Sequence, residues 1–123
     1  MIGYTTIGTK DLPRALAFYD TLLAELGGKR VMETKAGQLY GFAQGPLFGI
    51  TKPFDGANQN CGNGNMIALR CPSSEKVDQF YAKAMSLGGS DEGKPGDRGG
   101  GFYAAYFRDP DGNKLCAFTM GGQ

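Results

Sequence analysis

The sequence predicts an α+β fold of two βαβββ modules whose mixed sheets curl around a shared cleft, and three observations carry that prediction. The chain repeats itself: Phe18-Tyr19 recurs 62 positions later as Phe80-Tyr81, and Gly27-Gly28 recurs 61 positions later as Gly88-Gly89. Each of these pairs sits late in an apolar pattern of helical period. Around each pattern lie short β-prone runs punctuated by Gly, Pro and Asn.

Taken in order, Tyr4 to Thr9 is the first strand-like run. Leu12, Leu16, Tyr19, Leu22, Leu23 and Leu26 then fall at three- and four-residue steps, the stripe of an amphipathic helix. Asp11 is placed to cap it, Pro13 lies in its first turn where a missing N–H is harmless, and Gly27-Gly28 supplies the stop. Strands are expected at Arg30 to Thr34, Gln38 to Ala43 and Leu47 to Lys52. Residues 1–55 thus form a first module, and the Gly- and Asn-rich stretch 56–64 reads as a linker.

Residues 65–123 repeat the plan. Met66 to Cys71 is the strand, Val77, Phe80, Tyr81, Ala84 and Leu87 make the helical stripe, Ser73 or Ser74 caps it, and Gly88-Gly89 ends it. Phe102 to Arg108 and Lys114 to Met120 follow as strands. Asp91 to Gly101 should hold the remaining strand, but its glycines and Pro95 predict mostly loop. Asp109-Pro110-Asp111-Gly112-Asn113 predicts a hairpin turn rather than an acidic pair, and the glycines at 99–101 open no helix and make no phosphate loop. With one helix per module, one face of each sheet stays uncovered, and two such faces must pack or curl around something.

Composition narrows the chemistry. Thirteen basic against twelve acidic side chains give a net charge of +1, which leaves no broad field for nucleic acid or anionic lipid. The start lacks a basic and apolar leader pattern, so a soluble, cytoplasmic protein without membrane partners is expected. Cys61, Cys71 and Cys116 are odd in number and widely spaced, as reduced thiols would be, and none forms a CxxC pair. The chain has no histidine, which removes Ser-His-Asp and Cys-His nucleophiles, the two-His-one-carboxylate iron site and His-ligated zinc.

Three segments carry a resemblance: Thr6-Ile7-Gly8-Thr9-Lys10-Asp11-Leu12 running into Ala17-Phe18-Tyr19, Met66-Ile67-Ala68-Leu69, and Tyr106-Phe107-Arg108-Asp109-Pro110-Asp111-Gly112-Asn113-Lys114-Leu115. In that order, within a doubled βαβββ chain, they resemble the vicinal oxygen chelate superfamily of glyoxalases, bleomycin-resistance proteins and extradiol dioxygenases. The resemblance implies a divalent metal held by His, Glu or Gln on the first and last strands of each module, and a homodimer. The matching positions here are Tyr4, Gly49 (by strand matching alone), Met66 and Cys116. A phenol, a glycine, a thioether and a thiol do not build an octahedral oxygen and imidazole site, so no metal cofactor is expected.

Alternation along strands then extends the inward face. With Tyr4, Gly49, Met66 and Cys116 inward, Thr6, Leu47, Thr51, Ala68, Arg70, Lys114 and Phe118 share it, while Ile7, Ile50, Ile67, Leu69 and Leu115 pack beneath the helices. Arg98 and Tyr103 come from a Pro-Gly-x-Arg loop and a Tyr-rich strand similar to those of glyoxalase-like sequences, and could close over a ligand. The ligand-binding set is therefore Tyr4, Thr6, Thr51, Met66, Arg70, Arg98, Tyr103, Lys114, Cys116 and Phe118. Arg and Lys among aromatic and soft groups suit a small, partly apolar anion. Three functions fit these residues: a metal-free small-molecule binder, a lyase, isomerase or dioxygenase-type enzyme working through groups such as Tyr4 and Cys116, or a protein whose role is association.

Overall fold

The computed structural model describes residues 1–121; Gly122 and Gln123, the end of the expected second module, lie outside the described residues. The chain divides into two compact units, Met1–Cys61 and Gly62–Gln123. The first contains β1 (Tyr4–Gly8), α1 (Leu12–Ala24), β2 (Lys29–Glu33), β3 (Gly37–Gly41) and β4 (Leu47–Thr51). The second contains β5 (Ile67–Arg70), α2 (Ser74–Ser86), β6 (Ser90–Asp97), β7 (Tyr103–Arg108) and β8 (Lys114–Thr119). Both sheets have the same mixed topology, β1-β4-β3-β2 and β5-β8-β7-β6, in which the module's first strand runs parallel to its last.

Each helix starts where its cap chemistry dictates. The Asp11 carboxylate accepts the Arg14 N–H and Pro13 occupies the first turn of α1. The Ser73 hydroxyl accepts the Lys76 N–H at the head of α2. Gly27 (φ 78°) and Gly88 (φ 105°) then turn the chain out of the helices in the left-handed conformation that other residues resist.

One face of each helix is buried against its own sheet. Tyr19 of α1 packs on Phe48 of β4 with ring centroids 5.3 Å apart, and Phe80 of α2 packs on Phe107 of β7 at 6.1 Å. Polar ties fix the helices further. The Tyr40 hydroxyl donates to Asp20 of α1 at 2.7 Å, and Arg30 grips the same carboxylate with two bonds. In the second module Tyr103 donates to Asp78 of α2 at 2.7 Å, and Tyr81 of α2 donates to Asp91 at 2.9 Å.

The stretch expected to be mostly loop is instead the eight-residue strand β6. It lies at the sheet edge, bonded to β7 alone, where the missing Pro95 N–H leaves no ladder bond unmade. Register shifts between Asp91 and Gly93 and between Gly93 and Gly96 absorb the glycines as bulges. The segment 109–113 is the hairpin turn between β7 and β8: Asp109 accepts the N–H groups of Asp111 and Asn113 and the Asn113 amide. Among the described residues, no helix is long and apolar enough to cross a membrane.

Candidate functional site

Residues paired across neighbouring strands share a face, so the register decides which side chains the helices leave uncovered. In the first module Tyr4 lies opposite Leu47, and Thr6 and Leu39 lie opposite Gly49. Tyr4, Thr6, Leu39 and Leu47 with Met32 and Thr51 line a hollow of about 360 Å³ that has no charged side chain in its wall. Gly49 permits the close meeting of its neighbours, since a Cβ there would stand 2.6 Å from Leu39 Cδ2 and 3.0 Å from Thr6 Cγ2. At the Gly8 end of this face the buried Gln59 amide has neither its nitrogen nor its oxygen hydrogen-bonded.

In the second module Cys116 lies opposite Ala68 on one side and Tyr106 on the other, with Phe118 opposite Arg70 and Lys114 opposite Arg108. The Arg70 guanidinium sits 5.0 Å from the Phe118 ring centroid; Arg98 and Lys114 sit 5.4 Å and 5.6 Å from that of Tyr106. Phe102 packs on Phe118 at 5.7 Å. Arg108 is neutralised by Glu92 at 3.2 Å, whereas Arg70, Arg98 and Lys114 meet no carboxylate within ion-pair distance among the described residues. Aromatic faces are their nearest counterweight.

Burial pushes the Cys116 thiol above its ordinary range, and the nearby Tyr106 hydroxyl, Arg98 and Lys114 only partly draw it back. At 1% exposure it is a weak acid in the floor of the face rather than a ready nucleophile. Burial is also the chief cause that pushes the Cys71 thiol up to about 11.

The structure brings Tyr4, Thr6 and Thr51 together in the first module and Arg70, Arg98, Lys114, Cys116 and Phe118 together in the second. Met66 immediately precedes β5 and is exposed. Tyr103 departs from the expected set: Tyr103, Ala105 and Phe107 alternate toward α2, and the Asp78 bond holds the phenol there. Sequence reasoning missed Leu39, Met32, Tyr106, Phe102 and Gln59. Tyr106 could have been found by carrying alternation from Cys116 back through the 109–113 turn.

The metal positions implied by the resemblance fail a test of donor chemistry. Tyr4 is 61% exposed, Gly49 has no side chain, Met66 offers a thioether and Cys116 a buried thiol held protonated. Hard divalent cations need oxygen and imidazole donors that this set does not supply. Among the described residues, no group of three His, Cys, Asp or Glu side chains is placed to hold an ion.

A sequence model of the Glyoxalase/Bleomycin resistance protein/Dioxygenase superfamily matches residues 1–117. The crystal structure of a glyoxalase/bleomycin resistance protein from Albidiferax ferrireducens T118 is 37% identical, with a TM-score of 0.91 over 98% of this chain and 99% of that one. A glyoxalase/bleomycin resistance protein/dioxygenase family enzyme from Burkholderia phytofirmans PsJN shares the fold at 17% identity and a TM-score of 0.79, covering 97% and 98%. Lactoylglutathione lyase from Agrobacterium tumefaciens shares it at 18% and 0.72, covering 97% and 92%. None of the curated proteins matches the chain.

Proposed function

Because this chain belongs to the glyoxalase/bleomycin resistance protein/dioxygenase superfamily, we propose that it uses the fold to bind a small, partly apolar organic anion without the metal that the family's enzymes employ. The observation that carries this reading is the trio of Arg70, Arg98 and Lys114, which lack carboxylate partners among the described residues and lie over Tyr106 and Phe118. Cations left unneutralised on an aromatic floor attract an anion that also buries apolar surface.

Relatives are described as bleomycin resistance proteins. A cationic cargo would meet repulsion from this trio, so drug sequestration here favours acids. The enzymatic alternative has weak support, because the Cys116 thiol is buried with no imidazole in the chain to activate it.

Thermal-shift screening tests the reading. Organic acids should raise the melting temperature while matched amines do not; stabilisation by cationic compounds alone would refute it. A lactoylglutathione lyase assay with added Ni²⁺ or Zn²⁺ should give no metal-stimulated turnover, and robust turnover would overturn the donor argument.

A further inference from the structure

Arg98 is seated on its sheet in a way the other cations are not. The strand beneath its guanidinium carries glycine at two places: a Cβ at Gly96 would stand 3.0 Å from Nη1, and one at Gly93 3.4 Å from Nη2. Both glycines flank the register shifts of β6, so the bulges open a trough along the edge strand. The Tyr106 ring makes its floor, and a Cβ at Gly93 would also press within 3.1 Å of that ring.

The trough comes with its own fastenings. The Arg98 backbone N–H donates to the Phe102 carbonyl at 2.7 Å, and Nη2 donates to the Lys94 carbonyl at 2.6 Å. A guanidinium has five N–H donors, and the Lys94 carbonyl takes one of them, which leaves donors for a ligand. The carboxylates of β6 are engaged elsewhere: Asp91 with Tyr81 and the Gly93 N–H, Glu92 with Arg108, and Asp97 with the Gly99 N–H. Lys114 adds a second positive charge over the same ring, and Phe102 and Phe118 supply adjoining apolar surface.

We propose that Arg98, laid in the Gly93 and Gly96 trough, is the specificity-determining residue of this face and takes the carboxylate of a small aromatic acid. This rests on the anion-binding reading and narrows it to one anchor and one ligand class. The planar fork matches a carboxylate with two parallel bonds, a geometry an ammonium does not reproduce. A Cβ at Gly96 would push the guanidinium by a few tenths of an ångström, and Gly93 is further held to glycine by its positive φ of 157° and by the Tyr106 ring.

Calorimetric titration of the full chain with trans-cinnamate, its neutral amide and inorganic phosphate tests this. The wild type should prefer cinnamate over cinnamamide by roughly tenfold or more, with phosphate weaker than cinnamate. Arg98→Gln should erase that preference and Arg98→Lys should restore only part of it. Gly96→Ala has no left-handed backbone to strain, and it should weaken cinnamate several-fold while leaving the melting temperature nearly unchanged. Lys114→Gln should weaken cinnamate less than Arg98→Gln. Undiminished cinnamate preference in Arg98→Gln, or a Gly96→Ala variant that binds like wild type, would overturn the role of Arg98 while leaving anion binding intact. Equal binding of cinnamate and cinnamamide by the wild type would sink both.

Discussion

In the first module the face that no helix covers presents Tyr4, Thr6, Leu39 and Leu47 around an uncharged hollow. In the second, the corresponding face presents Arg70, Arg98 and Lys114 over Tyr106 and Phe118. The opposite faces scarcely differ in kind, with Tyr19 on Phe48 in one and Phe80 on Phe107 in the other. A close-packed core tolerates little change of volume, whereas an uncovered sheet face can change chemistry without disturbing the fold. The two modules thus share the character of their helix side and differ on the opposite face.

The sharpest test of the shared half of that comparison is core truncation. Phe48→Ala and Phe107→Ala should each cost about 3–5 kcal/mol in denaturant unfolding, since both side chains are fully buried against a helix. A large loss in one and none in the other would break the claimed equivalence.

The polar ties should separate the modules. Tyr40 is almost wholly buried and its hydroxyl meets an Asp20 carboxylate already bound by Arg30, so Tyr40→Phe should cost about 1–2 kcal/mol. Tyr103→Phe removes a solvent-exposed bond and should cost about 0.5 kcal/mol or less. It should also leave ligand binding unchanged, because the phenol lies on the helix side.

Acid unfolding sharpens the same contrast. The Arg30 bond, helped by Tyr40, holds the Asp20 carboxyl below its ordinary value of 3.8. A depressed carboxyl stabilises the fold above its unfolded value, and that contribution disappears as pH falls through the folded one. Stability of the wild type should therefore drop below about pH 3.8, and Asp20→Asn should flatten the drop. A pH profile unchanged by Asp20→Asn would contradict the assignment.

The smallest expected effect concerns thiols. Cys61 is partly exposed while Cys71 and Cys116 are buried with raised thiols, so a thiol reagent at neutral pH should modify Cys61 first. Rapid modification of Cys116 would revive it as a reactive group.

Much of this architecture was legible because the signals were local and repeated. Asp11, Pro13 and Gly27 bracket α1 as their chemistry requires, and the 62-residue repeat of Phe18-Tyr19 announces two similar halves. Alternation from Tyr4 and Cys116 also placed Thr6, Thr51, Arg70, Lys114 and Phe118 on the uncovered faces. What stayed hidden depended on pairing between strands. The glycines of β6 look like loop breakers until β7 shows them to be bulges, and only then does their use beneath Arg98 emerge. The direction of Tyr103 stayed open for a related reason, since it follows from its pairing with Thr119 and from the Asp78 bond, neither of which a Tyr-rich run reveals.

The most direct test of a metal-independent face is anomalous scattering from crystals soaked in Mn²⁺, Ni²⁺ or Zn²⁺. The donor chemistry of Tyr4, Gly49, Met66 and Cys116 predicts no peak bonded to those residues at any metal edge. A peak within coordination distance of Tyr4, Met66 or Cys116 would contradict it.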